Sequence, residues 1–265
     1  MAKKHDIIWL DTVDSTNEEV RRRISTLDNL SVLSAYRQSA GRGQRGNTWS
    51  SKAGENLTFS VLARYAGNGQ SSYASLPPAR AIDQFTISEI TALSVVDLLS
   101  SNGIEAKIKW PNDIYVNDRK ICGILIEHSL KEGFLSSSII GIGLNVNQSI
   151  FDPTLPNPTS MVNCLPLAEK DKDYKLMPLL EEFMDVFCGY CSRYLNITGG
   201  YARLRKLYLA QLWRKDEQAR YIDTRSGIEF NGIIRGLSDI GHLLVEDTEK
   251  GELKEFAFKE IGYII

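Results

Sequence analysis

No stretch of this 265-residue sequence approaches the roughly 18 consecutive apolar residues that a membrane-spanning helix requires. That excludes a helical membrane protein. The N-terminal Met-Ala-Lys-Lys-His-Asp-Ile-Ile-Trp-Leu is basic, but it has neither a long apolar core nor a small-residue cleavage site and does not read as a secretory signal. Histidine is scarce, with three in the chain, and cysteine nearly so, with four at Cys122, Cys164, Cys188 and Cys191. Cys188-Gly-Tyr-Cys191 has the C-x-x-C form, yet it lies inside an apolar, helix-periodic run over 179–195, and no second pair completes a zinc site. These thiols read as structural, in a chain suited to a reducing cytoplasm. An excess of positive charge is also missing. The 31 Lys and Arg against 33 Asp and Glu leave a net charge of -2, which argues against nucleic acid as the main partner. Also absent are a Gly-x-Ser-x-Gly elbow, a His-Glu-x-x-His helix and a Walker A loop. The usual nucleophile, zinc-hydrolase and P-loop chemistries go with them.

What is present is concentrated in loops. The stretch 37–52 carries Arg37, Arg42, Arg45 and Lys52 with no acidic residue, and Gly41, Gly43 and Gly46 alternate with its inner arginines. Glycine permits close backbone approach, and arginine offers a planar fork of donors for carboxylate or phosphate. Such a loop is equipped to wrap a small anionic ligand. Hydrophobic residues at 43% and charged residues at 24% are ordinary for a globular protein, and the length suits a large domain with or without a small one.

Hydrophobic patterning gives the coarse order of elements. A short strand over 7–10 precedes Asp14-Ser-Thr-Asn-Glu18, where Ser15 and Glu18 have the capping-box spacing and Val20, Ile24 and Leu27 continue at helical spacing. Strands are expected over 31–38 and 57–65, a loop over 66–78, and an amphipathic helix over 85–101 closed by Asn102-Gly103. The block 106–127 predicts a three-stranded meander with Lys120 at a hairpin tip, and 137–147 a further strand. Its Gly141 and Gly143 mark close approach of a ligand or another backbone. A passage without periodicity over 151–166 leads to helices over 175–195 and 201–213. Closely spaced short strands over 219–223, 228–235, 242–246 and 255–258 suggest a small β-barrel, with the boundary between residues 215 and 216.

The cations and amides gathered on these loops do not suit proton shuttling. They suit holding two anions together against their repulsion, as when a carboxylate attacks the α-phosphate of ATP. Four motifs support that reading: Asp14-Ser-Thr-Asn17; Gln38-Ser-Ala-Gly-Arg-Gly-Gln-Arg-Gly46 with Trp49; Lys109-Trp-Pro-Asn-Asp113 followed by Arg119-Lys-Ile-Cys-Gly-Ile-Leu-Ile-Glu127; and Gly141-Ile-Gly-Leu-Asn-Val-Asn147. In this order the set resembles the biotin–protein ligases. The resemblance spans about residues 11–147, and the later helices and terminal barrel match the family layout.

The resemblance implies an α+β fold: a mixed sheet flanked by helices, of the class II synthetase-like type, over residues 1–215, and an SH3-like β-barrel over 216–265. It implies that biotin, ATP and Mg²⁺ give biotinyl-5′-AMP, and that a lysine of a biotin carboxyl carrier domain then accepts the biotin. By position, Lys120 and Arg42 would be the catalytic cations. Ser15, Thr16, Asn17, Gln38, Gly41, Arg42, Gly43, Gln44, Lys120 and Gly123 would surround biotin. Arg45, Trp49, Asn112 and Asn145 would serve ATP, with the metal ligands left open. Gln44 stands where several relatives have arginine, so one cation of the loop is missing. The strand before the Ser-Thr-Asn motif begins almost at Met1, so no DNA-binding domain and no DNA partner are expected. The remaining expectations are a cytoplasmic location, no membrane partner, and a monomer or homodimer. Two alternatives stand beside this reading: a lipoate–protein ligase, and a non-catalytic biotin or nucleotide sensor.

Overall fold

The computed structural model describes residues 5–66, 75–166, 169, 172–195 and 197–264, with the side chain of Arg45 outside the described set. Seven strands form the main sheet: β1 (Ile7–Val13), β2 (Val32–Gln38), β3 (Leu57–Arg64), β4 (Lys107–Lys109), β5 (Asp113–Val116), β6 (Arg119–Lys131) and β7 (Phe134–Leu144). Their spatial order is β1-β2-β3-β7-β6-β5-β4. Only the β1–β2 pair is parallel; every other neighbouring pair is antiparallel. Helix α1 (Thr16–Arg22) crosses one face against β2, β3 and β7. On the other face lies α2 (Phe85–Ser101), which packs on α4 (Leu176–Tyr194) and α5 (Gly200–Ala210). A short α3 (Met161–Cys164) sits within the passage that showed no periodicity.

A second, wholly antiparallel sheet follows: β8 (Gln218–Asp223), β9 (Ile228–Leu237), β10 (Leu243–Asp247), β11 (Glu252–Phe256) and β12 (Ile261–Tyr263), in the order β11-β10-β9-β8-β12. The expected mixed sheet with flanking helices and a small C-terminal β unit is what the chain forms. Strand β12 had no counterpart in the sequence reading. Three residues, two β-formers around a glycine, carry too little pattern, and pairing with β8 decides the matter.

Several local expectations need correction. Ser15 occupies the N-cap position, but its side chain makes no capping bond. Its N–H is instead taken by the Asp14 carboxylate at 2.8 Å. α1 ends at Arg22, so Ile24 and Leu27 are not helical, although both pack with Val20 under the helix. α2 has the expected ends but is not amphipathic: thirteen of its seventeen residues are buried, because the sheet, α4 and α5 enclose it. It stops at Gly103, which has φ 77° and lets Ile104 N–H reach back to Leu99 O at 2.9 Å. Lys120 is not at the hairpin tip. Asn117, at φ 54°, makes the turn and Lys120 lies within β6. Of the expected loop 66–78, residues 67–74 lie outside the described residues.

Strand alternation sorts the sheet's two faces. Ile140, Ile142 and Leu144 of β7 and Cys122, Ile124 and Ile126 of β6 enter or pack against the main core beneath α2. The residues between them, Gly141, Gly143, Gly123 and Leu125, face the other way and line a cavity beside α1.

Candidate active site

The cavity holds about 360 Å³ and runs across the sheet between the N-terminus of α1, the glycine–arginine loop and the last strand β12. Register builds its floor. Thr58 pairs with Gly143, Gly143 with Gly123, Gly123 with Asp113, and Asp113 with Lys109, so these five residues form one cross-sheet row on one face. Directly paired residues in an antiparallel sheet share a face. A second row runs from Ser60 through Gly141 to Leu125.

One end of the cavity is neutral and tightly bonded. Ser15, Thr16 and Asn17 are 3%, 4% and 3% exposed despite their polarity. Thr16 donates its N–H to Gln38 Oε1 at 2.8 Å and its hydroxyl to the same oxygen at 3.2 Å. Ser60, on the strand below, donates its hydroxyl toward Thr16 Oγ1 (2.7 Å) and Asn17 Oδ1 (2.6 Å). The Asn17 amide donates to Glu127 Oε2 at 2.8 Å and to Leu125 O at 3.3 Å. Gly141 is required here: a Cβ at that position would lie 2.4 Å from Asn17 Oδ1. Unpaired, these buried groups would each cost roughly 1–3 kcal/mol.

The other end is ionic. Lys120 Nζ sits 2.7 Å from Asp113 Oδ1, both partly exposed to the cavity, and 5.8 Å from the centre of the Trp49 ring. Arg42, at the rim, is ion-paired with Glu18 of α1. The Glu18 carboxyl is held below its ordinary value, first by its hydrogen bond from Arg21 and also by Arg42. Between the two ends the indole of Trp49 lies flat against glycine. A Cβ on Gly143 would fall 2.3 Å from it and one on Gly123 3.0 Å. The Trp49 backbone N–H donates to Gly41 O at 2.9 Å, and Gly43 N–H to Asn47 O at 2.7 Å, which folds the loop back on itself around a 3₁₀ turn over Gln44–Gly46.

Most expected site residues therefore meet in one place: Ser15, Thr16, Asn17, Gln38, Arg42, Gly43, Gln44, Trp49, Asn112, Lys120 and Gly123 all line the cavity. Gly41 lies just behind the wall, packed on the Trp49 carbonyl. The Arg45 side chain lies outside the described residues. Asn145 is buried away from the cavity and donates to Thr159 O at 2.8 Å. That bond fixes the segment whose Thr159 N–H and Asn157 O in turn bond the backbone of Lys120. Asn112 lines the cavity, with its amide donating to Ile124 O.

Sequence reasoning missed Ser60, Glu127 and the contribution of β12. Ser60 gave a usable signal, a hydroxyl at a period-2 position within an apolar strand. Glu127 closes the third motif but was given no role, and Gly262–Tyr263 gave no signal, since only tertiary pairing brings them here.

Comparisons with known proteins agree with this geometry. The model of the biotin/lipoate A/B protein ligase family matches residues 9–145. The bifunctional ligase/repressor BirA of Salmonella typhimurium is 31% identical over 266 residues, covering 97% of this chain and 74% of that protein. The biotin–[acetyl-CoA-carboxylase] ligase of Paracoccus denitrificans is 30% identical over 246 residues, covering 89% and 92%. In fold, the biotin protein ligase from Aquifex aeolicus in complex with biotin and ATP superposes with a TM-score of 0.73 at 24% identity over 98% of each chain. The chain belongs to the biotin/lipoate A/B protein ligase family, within which it is one of the biotin–protein ligases.

Proposed function

We propose that the chain activates biotin as biotinyl-5′-AMP and then transfers it to one lysine of a biotin carboxyl carrier domain. The observation that carries this reading is the cross-sheet row: a neutral hydrogen-bonding end, a glycine floor, and a Lys120–Asp113 pair at the far end. A urea has no charge and needs hydroxyl and amide partners, which Thr16, Ser15, Asn17 and Gln38 supply. An aliphatic tail needs an apolar strip without side chains, which Gly143 and Gly123 supply. Its carboxylate then reaches Lys120 of β6, two strand spacings from β3, about 10 Å away.

In the first step a carboxylate oxygen of biotin bonds to the α-phosphorus of ATP. The bond from that phosphorus to the bridging oxygen breaks, and pyrophosphate leaves with the electron pair. Two anions must approach, and Lys120 between them lowers their repulsion and stabilises the charge gathered on the phosphoryl oxygens. Arg42 can join only by leaving Glu18. In the second step the neutral lysine amine attacks the acyl carbon, an amide forms, AMP leaves, and the amine loses a proton. No covalent bond to the enzyme is needed in either step.

Magnesium suits the site as an ion that travels with ATP, since it takes one or two carboxylates plus substrate phosphates, and Asp113 is the carboxylate lining the cavity among the described residues. When bound, it would neutralise phosphate charge. Among the described residues no cluster of three or more His, Cys, Asp or Glu offers an all-protein metal cage. We assign residues 1–215 to the catalytic unit and 216–265 to the appended β unit, and the cell compartment to the cytoplasm. In support of the division, β1–β7 pair in one sheet and β8–β12 in another. No helix among the described residues is long and apolar enough to cross a membrane.

Pyrophosphate–ATP exchange tests the reading. Exchange is expected with biotin and not with lipoate, and Lys120→Ala should lower it about a hundred- to a thousandfold, the size of a lost charge-stabilising contact. Exchange with lipoate alone would point to the other branch of the family.

A further inference from the structure

We propose that Gln148 and Asn56 are positioning residues of this site: their buried amides anchor the returning stem of the glycine–arginine loop, set the hinge that carries Trp49, and so govern how long the activated acid is retained. The proposal rests on the adenylation reading above and adds two residues that touch no substrate.

The loop over 41–50 bonds mainly to itself, and outward through the half-exposed Arg42 paired with Glu18. Its placement therefore depends on its two stems, and these are fixed in different ways. The leading stem is held by main chain: Ser39 N–H donates to Val13 O and Ala40 N–H to Asp14 O, both at 2.9 Å. The returning stem, ahead of β3, lies outside any strand. Side chains hold it instead. Lys52 N–H donates to Gln148 Oε1 at 3.1 Å. The Asn56 amide donates to the same oxygen at 2.6 Å and to the Ser51 hydroxyl at 3.2 Å. Asn56 Oδ1 accepts from Val146 N–H at 2.8 Å, and Gln148 Nε2 donates to Ile150 O at 2.9 Å.

Every oxygen and nitrogen of the two amides is thus engaged, and neither side chain lines the cavity. Asn56 is 2% exposed and Gln148 9%. Apolar side chains of matching shape can fill such a place at nearly the same stability. What a fully satisfied polar network adds is one fixed arrangement. Here it fixes the stem to the floor. Val146 and Gln148 directly follow β7, which carries Gly143, and Trp49, whose ring lies on Gly143, is three residues from Lys52. A ring resting on bare glycine has no neighbouring side chains there to guide it, so the loop backbone must place it. The same loop closes the cavity over a reactive anhydride, and such a cover works only if it shuts in register.

The test uses the full chain with Q148M and Q148E. Q148M keeps the length of the side chain and removes its acceptor. Q148E keeps the acceptor for Lys52 and Asn56 and loses only the donor to Ile150 O. In Q148M, biotin affinity by calorimetry should fall about tenfold and pre-formed biotinyl-5′-AMP should be released about tenfold faster, the range of one or two lost buried hydrogen bonds. The rate of pyrophosphate exchange at saturating biotin and ATP should stay within about threefold. Q148E should recover affinity and retention to within about threefold of wild type, although both variants melt earlier. Wild-type affinity and retention in Q148M would overturn the proposal. So would equal losses in Q148M and Q148E, which would mark a merely structural role. If Q148M fails to fold, amide hydrogen exchange on the wild type decides. Biotin should slow exchange across 41–50, with the Lys52 amide protected before and after. A Lys52 amide that exchanges freely without biotin would overturn the anchor. Absence of biotin-dependent pyrophosphate exchange in the wild type would overturn the adenylation reading itself, and this assignment with it.

Discussion

The two ends of the cavity use opposite kinds of chemistry. At the α1 end, Thr16, Asn17, Ser60 and Gln38 are tied by short neutral hydrogen bonds in a nearly dry setting. At the β5 end, charges are paired but partly wet: the Lys120 and Asp113 side chains are 32% and 22% exposed. Neutral bonds in a dry place discriminate sharply, because a ligand that lacks the matching group leaves them unsatisfied. Partly solvated ion pairs bind weakly for their charge but can be exchanged for a substrate at modest cost. The first end is built to choose, the second to react.

Substituting the floor between them should have the largest effect. Gly143→Val places side-chain atoms where the Trp49 ring lies 2.3 Å from a Cβ, and biotin affinity should fall about a hundredfold or more by calorimetry, with the fold retained. Wild-type affinity in that variant would mean that the tail does not cross Gly143. Next in size is Ser60→Ala, which breaks only the choosing end. We expect about tenfold weaker biotin binding, an unchanged KM for ATP, and about 1–2 kcal/mol lower stability in urea from the orphaned Thr16 and Asn17 oxygens. A larger change in KM for ATP than in biotin affinity would erase the distinction between the ends.

The smallest effect lies behind the reacting end. Glu89 of α2 is fully buried and ion-paired with Arg205 of α5, whose guanidinium also donates to Ser238 O at 2.7 Å. The Ser238–Gly241 turn leads to Gly241, whose carbonyl accepts from Trp110 Nε1 at 2.9 Å, and Trp110 lines the cavity. Burial pushes the Glu89 carboxyl from 4.5 up to about 7, with Arg205 pulling it back down. A carboxyl raised in the folded state favours folding most below about pH 4.5, and that contribution is lost as pH rises through about 7. Unfolding midpoints between pH 5 and 8 should therefore decline less steeply in Glu89→Gln than in wild type, with biotin affinity unaffected. Parallel pH curves for the two proteins would remove Glu89 as the cause.

What could be read from the sequence follows physical scale. The ends of α2 were legible because Asn102-Gly103 stops a helix locally, whereas its burial on every side depends on α4 and α5, which no local pattern encodes. The site motifs were legible because glycine at 41, 43, 123, 141 and 143 and cations at 42 and 120 are unusual by themselves. Their partners were not: Glu18 for Arg42, Asp113 for Lys120 and Thr159 for Asn145 are decided by folded geometry. Nor could Tyr263 be placed beside Lys109, since 154 residues of chain separate what one cavity brings together.

Trp49 stacks on the glycine strip that a substrate's tail is expected to occupy, and its indole nitrogen is buried with no hydrogen-bond partner among the described residues. Any molecule taking that strip must tilt the indole out of it, so occupancy and ring environment change together. Of the four tryptophans in the chain, this one offers a built-in optical gauge: its emission should follow the filling of the cavity in solution, with no label attached.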